Sequence, residues 1–406
     1  MNELTSNLAP RNRAGTLWRL IFQSATIIGI LALAALLLNV LNGAFGYAVL
    51  EYKVDPKTLT QQGIPLEQQS KEQLTALLQS KISTSAFNKL EKDQPFAERS
   101  RENVYQLIVE RVIKYKVDES WNLWESLTQA DSLRAKAATD YPGAEFRFVN
   151  WLNADFISRP QSSEPLTAGI RTAIFGSLWT IFITLLFAFP VGVGAAIYLE
   201  EYAADNALNR LIQTNINNLA GVPSIVYGIL GLAIFVRALE PLTSGEIFGI
   251  VDPTTASGRT ILSAGLTLGL LVLPIIIINA QEAIRAVPQS LRKASYGLGA
   301  TKWQTIWHHV LPGAMPGILT GTILAISRAI GETAPLVVVG ASTAISFDPT
   351  GPFSKFTTLP IQIYQWTARP QEEFRALAAA AILMLMGLLL TLNASAIVLR
   401  NQFARK

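Results

Sequence analysis

The chain reads as an all-α polytopic membrane protein with about six transmembrane helices and a largely helical external insertion. Three observations carry that reading. Hydrophobic residues make up 50% of the 406 positions, charged residues only 15%, and mean hydropathy is +0.32; soluble domains carry about 25% charge. Apolar runs long enough to cross a bilayer recur along the chain. A single long polar stretch, from about Gly43 to Arg171, interrupts them.

The first span is expected at about 17–41. Arg11, Arg13 and Arg19 open it, and the run is too long for the apolar part of a cleaved signal. Five more are expected at about 173–198, 217–239, 260–280, 317–341 and 376–399. The third holds Pro223 and several glycines, the fourth Pro274 and the fifth Pro335. Membrane helices tolerate proline where neighbours or water satisfy the freed carbonyls.

Cations set the orientation. Three groups fall on one side of an even number of spans: the N-terminal arginines; Arg285, Arg292, Lys293 and Lys302 of the 281–316 loop; and Arg400, Arg405 and Lys406 of the tail. Both termini, 1–16 and 401–406, are then cytoplasmic, and 42–166 lies outside. Glu240, Glu246 and Asp252 against Arg259 suit the outer side. Glu200, Glu201 and Asp205 fall inside, which the rule tolerates because acidic residues weigh little in it.

Within the insertion, Ser70 with Gln73 fits a capping box before Leu74, Leu77 and Leu78. Val104, Leu107, Ile108, Val112 and Tyr115 recur at helical spacing. Trp121, Trp124, Phe146, Phe148 and Trp151 supply either a small core or a membrane-interface contact. The insertion is either a cap packed on the spans or a dock for an external partner.

The missing motifs exclude whole classes. With no cysteine there is no disulfide, thiolate nucleophile or cysteine metal site. No G-x-x-x-x-G-K-[ST], H-E-x-x-H or EF-hand pattern occurs, so nucleotide hydrolysis by a P-loop is not expected from this chain. His308 and His309 are adjacent, and about 100° between helical neighbours disfavours a shared metal.

Two segments carry chemistry. Arg328 and Glu332 fall near the middle of the expected fifth span. A charge at that depth costs about 3 kcal/mol or more, so it marks a candidate functional site. Four apart, the two share a helix face, about 6 Å apart along the axis. A guanidinium donates two parallel hydrogen bonds to an oxyanion, which points to an anionic substrate. The alternative is a self-neutralising pair that holds helices together.

The second segment is the 281–316 loop. Pro288 and Ser290 start a helix that ends near Gly297 or Gly299, where glycine takes a left-handed conformation cheaply. Another helix begins near Thr301. Two short helices at an angle make a rigid knob that can pass motion from a soluble partner to the spans. Gly265/Gly269 and Gly317/Gly321 permit close helix approach.

This loop resembles the EAA loop of bacterial importer-type ABC permeases: E-A-A, three residues, G, nine residues, I-x-L-P. Lys293-Ala294-Ser295, Gly299-Ala300 and His309-Val-Leu311-Pro312 keep the spacing, with Lys293, Ser295 and His309 in place of glutamate, alanine and isoleucine. Asn218-Leu-Ala-Gly-Val-Pro-Ser-Ile-Val-Tyr-Gly228 and Ser327-Arg-Ala-Ile-Gly-Glu-Thr-Ala-Pro-Leu336 resemble the PstA-type permeases of phosphate uptake. The resemblance covers about 167–400 and implies a type I ABC importer permease core in a bacterial cytoplasmic membrane. It implies a substrate path at Ser327, Arg328, Glu332 and Thr333, and ATPase coupling through Lys293, Ala294, Ser295, Gly297, Gly299 and Ala300. The implied partners are a PstC-type permease, two PstB-type ATPase subunits that use ATP and Mg2+, a PstS-type phosphate-binding protein and membrane lipid, with no nucleic acid. No cofactor is expected on this chain. A permease for sulfate or molybdate, and a membrane sensor using the external domain, are the alternatives.

Overall fold

A computed structural model describes residues 8–52, 54–60, 64–93, 95–162, 164–250, 258–341, 345 and 348–404. The expected roles of Asp252, Arg405 and Lys406 lie outside the described residues.

In chain order the elements are α1 (Leu8–Gly43), β1 (Phe45–Tyr52), α2 (Lys71–Lys81), α3 (Thr84–Asp93), α4 (Arg101–Ile108), β2 (Tyr115–Ser120), α5 (Leu123–Thr128), α6 (Ala130–Asp140), β3 (Glu145–Asn150) and α7 (Ala154–Ser158). There follow α8 (Arg171–Ile197), α9 (Ala207–Leu219), α10 (Ser224–Gly231), α11 (Glu240–Thr243), α12 (Ile261–Arg285), α13 (Gln289–Gly297), α14 (Lys302–Thr305), α15 (Leu311–Gly331), α16 (Ala334–Val339), α17 (Leu359–Thr367) and α18 (Glu372–Ala404). Widened π-type turns carry α8 on to Tyr202, α10 on to Ala238, and α14 into α15.

The chain divides into two compact units: Met1–Glu51 with Val117–Trp151, and Tyr52–Lys116 with Leu152–Lys406. The expected 42–166 insertion is therefore split between them. In the first unit a three-stranded sheet of order β2-β1-β3 accompanies the helices. Strands β1 and β3 run antiparallel, from Phe45 opposite Asn150 to Leu50 opposite Glu145. Gly46 allows the next segment to come close, since a Cβ there would lie 1.8 Å from Trp121 O. Trp151 is buried, whereas Trp124 and Phe148 are exposed. Tyr47 stacks on Phe146 at 4.5 Å.

In the second unit a helical subdomain packs Leu74, Leu77 and Leu78 of α2 against Val104 and Ile108 of α4 and the following Val112. The expected capping box is present: Ser70 Oγ accepts from Gln73 N at 3.4 Å, and Gln73 Oε1 accepts from Ser70 N at 2.9 Å. Arg159 reaches Glu102 at 3.2 Å and so ties this subdomain to the start of the membrane core.

Five helices among the described residues are long and apolar enough to cross a membrane: Gly15–Gly43, Arg171–Tyr202, Ile261–Arg285, Lys302–Gly331 and Glu372–Gln402. Four of them extend the spans expected at 17–41, 173–198, 260–280 and 376–399. The other two expectations need correction. The third span, expected at 217–239, is a bent pair, Ala207–Leu219 and Ser224–Ala238, at 107°. Pro223 lacks an N–H and drives the residue before it out of the helical region, so the chain turns there. The corner is closed by Gly221 N to Asn218 O (3.0 Å) and Tyr227 Oη to Leu219 O (2.8 Å). The fifth span, expected at 317–341, starts instead at Lys302 and stops at Gly331. Pro335 cannot donate to Gly331 O and its ring crowds that carbonyl, which favours a break there, whereas α12 runs on through Pro274.

The membrane core is built on α12, whose Gly265 and Gly269 take the side chains of Ile183 and Phe187 from α8. Gly317 and Gly321 of α15 lie against Ala283 and Asn279 of α12. Added Cβ atoms would stand 2.3–2.7 Å from these neighbours, so both glycine pairs work as packing faces inside this chain.

Candidate transport site and coupling corner

Arg328 lies in the last turn of α15, and Glu332 is its C-cap, with an extended backbone (φ −75°, ψ 124°). The pair belongs at a helix end and not at mid-helix. A cation suits this position because the helix dipole is negative there. Arg328 Nε lies 3.3 Å from Glu332 Oε1, with the arginine side chain 47% exposed and the glutamate 18%. The pair is formed yet open on one side, so the guanidinium keeps donors for a further ligand.

Ser327 Oγ reaches Ile323 O (2.8 Å) and Asn393 Oδ1 of α18 (2.7 Å), so it ties two helices. Thr333 is half-buried and precedes α16 without a capping bond from its side chain. The two sequence segments that resemble one family also meet in space. A Cβ on Gly228 of α10 would stand 2.7 Å from Pro335 Cα and 3.1 Å from Val338 Cβ of α16. Nothing in the spacing of segments over a hundred residues apart announced this contact.

The 289–305 corner has the helix, glycine turn and second helix start expected from its sequence, with one difference in helix length. Helix α13 runs from Gln289 to Gly297, and Gly299 takes φ +85°. Gly297 and Gly299 face open space, and Leu298 between them is 90% exposed. Thr301 then opens α14 with a capping box to Gln304. The second helix is not short, because it continues into the span that ends at Gly331. Pro312 stands at the second position of α15, directly after the widened turn Ile306–Val310 that joins α14 to it. Ser295 Oγ and Thr305 Oγ1, both buried, bond across the corner at 2.9 Å. Lys293 and Ala294 are exposed and Ala300 is half-buried. His308 Nδ1 contacts Gln304 O at 3.0 Å, both histidines are exposed, and the described residues hold no metal-binding cluster.

The sequence reading missed the corner's anchor. Arg292 and Glu201 are 8% exposed each and meet at 2.8 Å (Nη2) and 3.0 Å (Nε). Arg292 also donates to Val287 O (2.6 Å) and Ile284 O (2.9 Å). Arg285 Nη2 holds Glu200 Oε1 at 2.6 Å. The acidic stretch after α8 and the cationic loop thus neutralise each other.

The sequence profile described as "Binding-protein-dependent transport system inner membrane component" matches residues 188–401, from the end of α8 through α18. The chain belongs to this family. Similar curated proteins include "Probable ABC transporter permease protein YqgI" of Bacillus subtilis (strain 168), 35% identical over 55% of this chain and 69% of that protein. Another is "Phosphate transport system permease protein PstA 1" of Mycobacterium tuberculosis (strain CDC 1551 / Oshkosh), 35% identical over 60% of this chain and 74% of its own length. "Phosphate transport system permease protein PstC" of Xylella fastidiosa (strain 9a5c) is 36% identical over 44% and 58%. Among solved structures, an inward-facing MetNI methionine ABC transporter chain aligns with TM-score 0.40 and 18% identity over 60% of this chain and 98% of that one. This member of the transport-component family is accordingly a multi-pass, non-catalytic permease subunit of an ABC importer.

Proposed function

We propose that this permease is the PstA-type half of an ATP-driven importer of inorganic phosphate. The observation that carries the reading is Arg328, a half-exposed guanidinium at a broken helix end inside the membrane core, with Glu332 at 3.3 Å. The names of relatives such as the mycobacterial PstA 1 support phosphate over other oxyanions. Arg328 binds a phosphate oxygen pair through its planar fork. Glu332 holds the guanidinium when the path is empty and competes with the departing anion, which keeps binding from becoming a trap. Ser327 and Thr333 flank this point, Ser327 by fixing α15 on α18.

A PstC-type permease completes the path, and two PstB-type ATPase subunits supply ATP and Mg2+ chemistry. The ATPase receives the Gly297-Leu298-Gly299 tip, with Lys293, Ala294, Ser295 and Ala300 behind it, in the manner of an EAA loop. Closure of the ATPase moves this corner, and the Arg292–Glu201 and Arg285–Glu200 pairs pass the motion to α8 and α12. A PstS-type binding protein delivers phosphate from outside. In this reading the protein sits in the bacterial inner membrane, 42–166 lies on the outer side and both termini are cytoplasmic.

The test is phosphate uptake in vesicles holding this chain with each candidate partner present or omitted, with sulfate and molybdate as competitors. Uptake that needs all partners and is not displaced by sulfate or molybdate is the expected result. Transport of sulfate or molybdate in place of phosphate overturns the substrate assignment.

A further inference from the structure

Against Ala329, the residue that follows Arg328, the core contains a small cavity, with about 10 Å³ of free room for a water centre. That is the room one water molecule needs. Its polar wall is Ser177 and Thr180 of α8 and Thr358 before α17, and its opposite wall includes Ala329 and Ile330 of α15 and Leu336 of α16. The cavity therefore spans the break between α15 and α16. All three hydroxyl residues are at most 3% exposed.

The hydroxyls are not equally occupied. Thr180 Oγ1 donates to Gly176 O at 2.7 Å and keeps lone pairs. Ser177 Oγ accepts from Leu359 N at 2.9 Å and keeps its proton. Thr358 Oγ1 has no hydrogen-bond partner at all, although the residue is 2% exposed. Gln362, one turn further along the same face, is 1% exposed with neither amide atom bonded, and Trp366 Nε1 after it is also unpaired. Buried hydroxyls and amides are very rarely left without a partner, because each costs its full desolvation.

We propose that this cavity is a binding site for one ordered water, and that Thr358, through that water, positions the last turn of α15 and hence Arg328. The ligand is neutral, since the polar lining consists of hydroxyls without charge. The water accepts from Thr358 and Ser177 and donates to Thr180, which meets the two to four partners a buried water requires. Its remaining proton suits the carbonyls of the α15 end, which lack partners within the helix. Thr358 is a positioning residue and does not touch the transported anion. The consequence for Arg328 rests on the proposed phosphate path; the water site itself does not.

The experiment compares Thr358→Val, which keeps the shape and removes the hydroxyl, with Thr358→Ser, which keeps the hydroxyl. Thermal unfolding of the assembled transporter and phosphate uptake per assembled complex are measured for each. Thr358→Val is expected to lower the unfolding midpoint and to raise the phosphate concentration for half-maximal uptake several-fold, and Thr358→Ser to restore both. The sign decides the water: a dry, unpaired hydroxyl replaced by valine gives an unchanged or higher midpoint, which overturns the site. A lowered midpoint with unchanged half-saturation overturns the positioning of Arg328. If the unaltered transporter carries no phosphate, the substrate reading fails instead, and the midpoints still test the water.

Discussion

The helix Lys302–Gly331 is held in opposite ways at its two ends. At the start, Thr301 and Gln304 cap each other, Ser295 and Thr305 bond across the corner, and Arg292 is sunk against Glu201 with two backbone carbonyls on its other donors. At the finish, proline stops the helix, and a single ion pair with a 47% exposed arginine marks the break. The first end has spent its polar groups on its own chain, which suits the force-transmitting role proposed for it. The second has kept donors in reserve, which suits the binding and release proposed for it.

The comparison is broken most directly at the open end. Arg328→Gln is expected to reduce phosphate uptake to near background while assembly is intact. Wild-type uptake from a correctly assembled Arg328→Gln transporter would remove the guanidinium from the path. At the closed end, Gly299→Trp places a bulky residue at φ +85°, where side chains are strained by about 1–2 kcal/mol, on the tip proposed to enter the ATPase. Loss of ATPase co-purification and of transport-stimulated hydrolysis is expected; survival of both would contradict the coupling role.

A finer cut separates the two ion pairs. Glu201→Ala leaves Arg292 buried and unpaired, which costs about 3–5 kcal/mol, read as a lowered unfolding midpoint. Arg285→Gln, at a 70% exposed side chain, is expected to cost no more than about 1 kcal/mol. Equal losses would mean that burial does not distinguish them. The smallest effect on transport is expected from removing 42–166, which lies outside the family match at 188–401. Protease added to the outside of spheroplasts should cut within that segment, and cutting only in inverted vesicles would reverse the topology.

Local signals were legible in the sequence. The Ser70 and Gly299 motifs lie within a few residues of the geometry they dictate, and the glycine pairs name their packing faces by spacing alone. Breaks within apolar runs were harder to see. Pro223, Pro274 and Pro335 are all visible in the expected spans, but the sequence does not tell which of them breaks its helix: α12 runs through Pro274, while the chain turns at Pro223 and before Pro335. The β3 strand has only a partial signal: Glu145-Phe-Arg-Phe148 alternates, but Val149 breaks the pattern and is the residue the strand buries. Contacts such as Arg292–Glu201 and Gly228–Pro335 join distant segments and have no local signature. Arg328 and Glu332 stand out in the sequence as charges within an apolar run, but the bond from Ser327 to Asn393 depends on how α18 comes back to α15.

Glu200 and Glu201 are neighbours in sequence, yet each grips a different arginine, one at the end of α12 and one within α13. Two adjacent carboxylates therefore strap together the foot of one span, the foot of another and the corner between. Displacement of the corner is shared by both spans at once, because α8 and α12 are already interlocked at Gly265 and Gly269. The straps also respond differently to their surroundings. Dissolved salt screens the outer one and barely reaches the inner one. The linkage is thus expected to hold its stiffness when ionic strength swings, with Arg292 as the strap that does not slacken.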